Sequence, residues 1–430
     1  MRKNLRVSLI CLVALMPAGV YGQMEVNSPF ARYGIGYLEQ QGSFRTRAMG
    51  GISSGIRDNL TLNYLTPASY SSIDTVSFLF DFGLTYGVVG LKGDGLKYTS
   101  QDVNFTHLMI GFPIMKGWGV TAAVLPYSNG SYNIGFESPG TEVTGTIYQS
   151  HIGSGGYQRV LLGTGFKPLP YVAAGINLFY MFGEVTRIND FAFTGDNNYF
   201  NTRKQSTSSL KGLGYEASLQ FMLPLSGNRY VNAGVTWTPA YDLRTGNDDL
   251  LLRYSYVSFN SSLLARDTLS FGSESTTSRM PNSVRAGIGF GKTDKFTAGA
   301  DLVYTKWSEA SLPGTYAGPG GRYSDALALH AGAEYVPDKY SNYGFFDRIE
   351  YRIGCRYGES YTLFAGENVK EYGITFGTGI PMRRSRSRIS LVVDLSTRGN
   401  GEGEVPGERR ISVGASLNLH DYWFIKRQYD

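Results

Sequence analysis

From Asp74 onward the chain repeats a period of two. In the first such stretch Val76, Phe78, Phe80, Phe82, Leu84 and Tyr86 share one face, and Ser77, Asp81, Gly83, Thr85 and Gly87 share the other. About thirteen residues of alternation outrun the usual soluble strand and suit a tilted strand that crosses a membrane. Similar stretches are predicted at 103–114, 118–128, 157–166, 171–183, 212–223, 229–238, 281–290, 296–307, 325–336, 348–357, 369–381, 387–396 and 409–419. With the first they make fourteen. One alternating strand is equally at home in a soluble sandwich. An even number in series lets an antiparallel sheet close on itself and leave no edge to hydrogen-bond lipid.

The connections sort by parity. Joins after strands 2, 4, 6, 8 and 12 are short: Met115–Gly117, Lys167–Pro170, Leu225–Asn228, Gly291–Lys295 and Met382–Ser385. The join after strand 10, near Pro337–Asp347, is somewhat longer. Joins after odd strands are mostly long, at 89–102, 129–156, 184–211, 239–280, 308–324, 358–368 and 397–408. Short turns at one mouth and long loops at the other are the layout of outer-membrane barrels. The expected fold is all-β, a transmembrane antiparallel β-barrel of about 14 strands with an N-terminal plug or hatch.

Composition agrees: 31 Tyr, 24 Phe and 55 Gly against 17% charged residues favour strands and tight turns over helices. Residues 1–22 read as a cleaved signal peptide. Arg2, Lys3 and Arg6 precede an apolar run from Val7 to Met16, and Val20-Tyr21-Gly22 supplies a small-residue cleavage site. The run is too short to span a bilayer, and Ile10 before Cys11 does not suit lipoprotein anchoring. Loss of the segment lowers the formal charge from +5 to +2, which leaves no nucleic-acid footprint. Only Cys355 then remains, so no intrachain disulfide is available. The expected division is signal peptide 1–22, hatch 23–74, barrel 75–420 and an aromatic-basic tail 421–430. The expected location is the outer membrane of a Gram-negative-type cell, in contact with its lipid.

The polar faces carry the charge. Arg348, Glu350, Arg352 and Arg356 alternate against Ile349, Tyr351, Ile353, Cys355 and Tyr357, while Asp301, His330, Glu334 and Asp394 lie opposite apolar faces of their strands. A charge facing lipid costs a few kcal/mol near the midplane, so these side chains belong in the lumen. There the ladder Asp301, Arg348, Glu350, Arg352, Arg356 and Asp394 serves as a salt-bridge network holding a plug, or orients an anionic head group by bidentate hydrogen bonds.

Catalytic and cofactor signals are weak. Gly287–Thr293 superficially resembles a phosphate loop, but Ala286 stands where a glycine is needed and no helix follows; a hairpin turn explains it. The four histidines lack metal-ligand spacing, and Ser150-His151 is only an adjacent pair. No enzyme activity, metal or cofactor is expected. Pro126 ends the third strand, either as a plain terminus or as a kink that opens the wall. The tail from His420 to Asp430 sets aromatics beside Lys426 and Arg427, as at a membrane rim.

The stretch before the first strand has few charges and little periodicity. It holds Met49, Gly50 and Gly51, then Asn63, then Pro67 and Ala68, with glycines placed for tight turns or close packing. Arg47–Gly51 with Asn63 and Pro67–Tyr70 resembles the N-terminal plug signature of the FadL/TodX outer-membrane transporters. Gly111-Phe112-Pro113, Pro126-Tyr127-Ser128, Gly153–Tyr157 and Asp301 through Trp307-Ser308 extend the resemblance over most of the mature chain. The opening Ser28–Gly36 and the tail resemble versions common in Bacteroidota. The family usually reads Asn-Pro-Ala contiguously, whereas here Thr66 precedes Pro67. The resemblance implies a fourteen-stranded barrel with an N-terminal hatch, passive passage of hydrophobic small molecules of the fatty-acid kind, and a lateral exit at a kink in strand 3, where Pro126 stands.

The leading expectation is a hatch-gated outer-membrane channel for hydrophobic small molecules, captured by loops 129–156 and 239–280. The alternative is a non-transporting barrel that serves as an accessory or shuttle subunit of a secretion or outer-membrane assembly complex, with protein partners.

Overall fold

A computed structural model of the chain describes residues 28–93, 96–141, 144–193, 200–257, 262–312, 323–364, 367–383, 385–401 and 405–422. The expected signal peptide, Cys11 and tail residues 423–430 lie outside the described residues.

The barrel is one closed antiparallel sheet. Its wall begins with β2 (Ser77–Gly93), β3 (Leu96–Met115), β4 (Trp118–Asn129), β5 (Tyr132–Ser138), β6 (Ile147–Leu169), β7 (Val172–Phe193) and β8 (Asn201–Leu225). It continues through β9 (Arg229–Thr238), β10 (Tyr241–Val257), β11 (Ser262–Met280), β12 (Ser283–Lys292), β13 (Phe296–Thr305) and β14 (Ala326–Tyr335). It ends with β15 (Glu350–Phe364), β16 (Glu367–Pro381), β17 (Arg388–Arg398) and β18 (Gly407–Tyr422). The remaining strand, β1 (Tyr37–Leu38), belongs to the plug. β4 with β5, β9 with β10, and β11 with β12 are each one strand broken briefly, so the wall has fourteen. β18 pairs with β2 from Gly407↔Lys92 to Tyr422↔Ser77 and closes the cylinder.

Alternation sets the two faces. Leu162, Leu178, Leu213, Ile288 and Phe376 point outward and are exposed, while Asp81, Asn177, Gln220, Asp301 and Arg352 are buried on the inside. A wall that is apolar outside and polar inside is what a bilayer demands of a barrel.

Strand lengths are uneven. β6, β7 and β8 have 23, 22 and 25 residues, whereas β12, β13 and β14 have 10 each. About ten residues suffice to cross the hydrocarbon core. Much of what was expected as loop at 89–102, 129–156, 184–211 and 239–280 is therefore strand that rises past the membrane as paired hairpins. Ser, Thr and charge dilute the apolar alternation there without breaking the ladder, as in Ser206–Ser209 against Glu184–Arg187 and Gly246–Asp249. Ala265–Thr277 of β11 is exposed throughout and pairs only with β10.

The plug threads the lumen lengthwise. Ser28 Oγ donates to Glu408 Oε2 (2.5 Å) at the long-hairpin mouth. The chain then descends through a short helix, Phe44–Ala48, and a 3-10 helix, Pro67–Ser72, to the short-turn mouth, where β2 begins. One side of this interior is apolar: Leu62, Tyr64, Tyr70 and Ile73 of the plug pack on Leu79, Met109, Leu125, Leu161 and Phe179 of the wall. Ile35 packs nearer the other mouth with Tyr157, Met181, Trp307 and Tyr361. The side facing β13–β17 is ionic.

Candidate functional site

At the short-turn mouth the plug is tied to the wall by six buried or half-buried charges. Arg45 Nε donates to Glu334 Oε2 (2.9 Å), Arg45 Nη2 to Glu334 Oε1 (2.7 Å), and Arg45 Nη1 to Asp58 Oδ2 (2.8 Å). Arg352 bridges Glu334 (2.7 Å) and Glu350, and Arg388 bridges Asp58 (3.3 Å) and Glu350 (3.1 Å). Burial opposes ionisation of Asp58. The Arg45 and Arg388 guanidinium groups, with the Leu60 N–H and Thr61 hydroxyl, outweigh it and hold that carboxyl well below the usual carboxylate range. Arg57, in contrast, meets only Ala68 O, Gln220 Oε1 and Ser71 Oγ, and burial pulls its guanidinium down to about 10.

Midway, Asp301 caps the plug backbone. Its Oδ2 accepts from Ser53 N (2.8 Å) and Ser54 N (3.0 Å) and from both serine hydroxyls. Arg356 reaches Asp394 (3.0 Å) and Glu371 (3.3 Å), and Arg398 also holds Glu371. Sequence reasoning placed these acids and bases in one ladder; they form separate groups at different depths. Arg348 departs from the expectation: it lies in a 3-10 turn, Phe346–Arg348, before β15 begins, and makes no ion pair among the described residues.

The hatch motif is built for close approach. Gly50 and Gly51 have φ of +72° and +99°, which favours glycine at both positions. Gly50 N donates to Thr375 Oγ1 (3.0 Å), and Gly51 leaves room for His330, whose Nδ1 lies 2.7 Å from Gly50 O. A Cβ on Gly332 or Gly354 of the wall would run into the backbone of Met49 or Gly50, so plug and wall touch main chain to main chain. Asn63 Nδ2 donates to Ser53 O (2.9 Å) and ties two turns of the plug together. Pro67 opens the 3-10 helix, and Ala68 N donates to Ser218 Oγ (2.7 Å).

Pro126 does not end its strand. β4 runs through it to Asn129 and breaks only at Gly130-Ser131, while the register against β6 shifts between Pro126 and Ser128. β3 leaves β4 after Leu108↔Val124, and the plug fills the vacated edge: Leu38 and Tyr37 pair with Ser128 and Asn129. Glu39 N donates to Tyr127 O (3.0 Å) and Gln41 Nε2 to Pro126 O (3.2 Å). A pocket of about 210 Å³ opens here between Val103, Phe105, Pro126 and Gln158, with Glu39 on its inner side. Burial lifts the Glu39 carboxyl above its usual range.

Beside the plug, against Tyr37–Gln41 and Leu65, a cavity of about 360 Å³ remains. Tyr127, Tyr241, Trp307 and Tyr361 line it, but so do Arg159, Glu216, Arg285, Arg356, Glu371 and Arg398. The Arg159 guanidinium lies 4.0 Å from the Tyr127 ring centre and 4.7 Å from that of Phe179. The chamber is amphipathic. Among the described residues no cluster of His, Cys, Asp and Glu is placed to hold a metal ion.

The family model that matches this arrangement, BamG, spans residues 1–430. The chain belongs to the BamG family. No curated protein matches it. Solved structures share the fold at low identity. A Pseudomonas aeruginosa FadL homologue is 12% identical over 89% of this chain and 98% of its own, with a TM-score of 0.55. The Ralstonia pickettii toluene transporter TbuX is 12% identical over 93% and 99%, TM-score 0.54. The Pseudomonas putida toluene transporter TodX is 15% identical over 94% and 100%, TM-score 0.54. The FadL-type barrel is thus the fold of this BamG-family chain. Sequence reasoning missed Arg45, Asp58, Arg388, Asn177, Ser218 and Thr375, which hold the plug. Their partners lie far away in sequence, so no spacing betrays them.

Proposed function

We propose that this BamG-family barrel is a plugged, non-transporting subunit of a secretion or outer-membrane assembly complex in the outer membrane, exported by its 1–22 signal peptide. The observation that carries the reading is the state of the lumen. The plug is ion-paired at one mouth, hydrogen-bonded at mid-depth and strand-paired at the broken wall, and the chamber left beside it is lined by charge as much as by rings. An apolar solute crossing such a chamber would desolvate several ionised groups. Extended hairpins at one mouth then supply surface for protein partners, and neither role calls for a catalytic step or a cofactor. The Ser28–Gly36 opening supports placing the chain with Bacteroidota forms of the barrel.

Native pull-down from mildly solubilised outer membrane, paired with lipid mass spectrometry of the purified barrel, tests this. Stoichiometric protein partners without bound lipid are the expected result. Bound hydrophobic ligand without partners would overturn it.

The pocket beside Pro126, where β3 leaves β4, supports passive uptake of hydrophobic small molecules with sideways release to the bilayer, in keeping with the fold shared with toluene transporters. Here the plug strand Tyr37–Leu38 is the gate. Under this reading Pro126→Ala, which restores a backbone donor, slows uptake without unfolding the barrel; unchanged uptake removes it.

A further inference from the structure

At the short-turn mouth four joins hold two or three residues each, and Tyr171 is their one aromatic. The join between β14 and β15 is different. Between Val336 and Ile349 it carries Tyr340, Tyr343, Phe345 and Phe346, which are 72%, 101%, 48% and 71% exposed. Such rings are normally buried, and four on one loop form a patch that asks for a cover.

The loop is held in shape. Asp338 N donates to Asp347 O (2.7 Å), Gly344 N to Ser341 Oγ (3.0 Å), and Ile349 N to Phe346 O (3.3 Å). It is also pinned to the neighbouring turn: Lys339 Nζ lies 2.6 Å from Asp294 Oδ1, and Tyr340 OH donates to Asp294 Oδ2 (3.0 Å). The Phe345 and Phe346 rings meet edge to face at 5.5 Å. Order in the free state lowers the entropy cost of docking, so the exposed rings are poised for a specific contact.

Two covers compete, lipid and protein. A segment that binds an anionic leaflet carries surplus Lys or Arg. This loop has Asp338 and Asp347 against Lys339 and Arg348, a balance of zero. The girdle role is already filled at the strand ends by Trp118, Phe166, Tyr335 and Tyr351, all exposed outward. We propose that Tyr343 and Phe346 form the centre of a docking surface for a periplasmic protein with an apolar, uncharged cleft. The partner rests on the accessory-subunit reading above; the surface does not.

The test uses the full-length protein in its own outer membrane. Tyr343→Ser with Phe346→Ser lowers recovery of the stoichiometric partner about tenfold or more, as loss of a central aromatic anchor does. The barrel keeps its heat-resistant mobility, and recovery from wild type changes little between about 0.1 and about 0.5 M salt. Unchanged recovery from the variant overturns the docking surface but leaves the accessory reading standing. No partner from wild type overturns both. Phe346→Trp in a Trp118→Phe, Trp237→Phe background, in vesicles of brominated phosphatidylcholine, supplies the other arm, since Trp118 and Trp237 are themselves exposed: no quenching beyond that of the background without the new ring is expected, and strong added quenching assigns the loop to lipid and overturns the proposal.

Discussion

Glu334 accepts from two guanidinium groups at once, Arg45 of the plug and Arg352 of the wall, in a buried setting. Removing one member of such a set leaves its partners charged and unpaired, at a cost of about 3–5 kcal/mol. Glu334→Gln is therefore expected to raise amide exchange across 43–60 while the barrel strands stay protected; unchanged exchange would contradict the linkage. Asp58 gives the pH dependence. Its folded pKa lies below the unfolded value, so its contribution is whole above about pH 4 and is lost as the pH falls through the folded value. Acid is thus expected to loosen the plug before the wall, as read by protease cutting within 43–60 between about pH 5 and about pH 2. A plug that loosens instead on raising the pH from neutral would refute this. At this scale the sequence was half legible. Glu350, Arg352, Arg356 and Asp394 declare themselves by facing away from apolar neighbours on their own strands. Arg45 and Asp58 sit in a segment without period, where nothing local marks a residue as buried and paired.

Among the elements, strands were legible wherever they cross the membrane, because lipid enforces apolar outward positions. They were not legible above it. β10 and β11 pair from Tyr241↔Met280 to Val257↔Ser262 through two register shifts, and while β10 buries Leu243, Thr245, Leu252 and Tyr254, Ala265–Thr277 of β11 stands in water, so its sequence has no reason to alternate. β10 also pairs with β8 from Arg244↔Lys211 to Tyr254↔Asn201, but the barrel is closed beneath the hairpin by β9 and β12 pairing directly. Deleting 246–275 and joining the ends with a short turn is expected to leave the thermal midpoint of the barrel within a few degrees. A large fall would show that the hairpin braces the wall.

For the whole molecule, fold and fate of the lumen separate. Parity and period were enough to give a closed fourteen-stranded barrel, since closure follows from counting. Whether the barrel is open depends on contacts between residues 28–73 and strands remote in sequence, and no count supplies those. Deleting 28–73 is expected to leave an inserted barrel, because each strand keeps both neighbours, but one that conducts ions steadily in a planar bilayer. The intact protein is expected to stay silent. Equal conductance would mean that the plug does not seal.

The path of the plug also dictates a schedule. Ser28 lies at one mouth and Ser77 at the other, so the segment runs through the cylinder that Ser77 and Tyr422 close. Were the seam between β2 and β18 to zip early, residues 28–73 would have to be fed through a finished ring against the loss of every contact they make. The economical order is the reverse. The segment emerges first, the strands wrap around it in turn, and the seam, which joins the most distant residues, comes last. A chain halted just short of completion should then already protect Met49 and Gly50 while the amides that β2 and β18 offer each other still exchange freely.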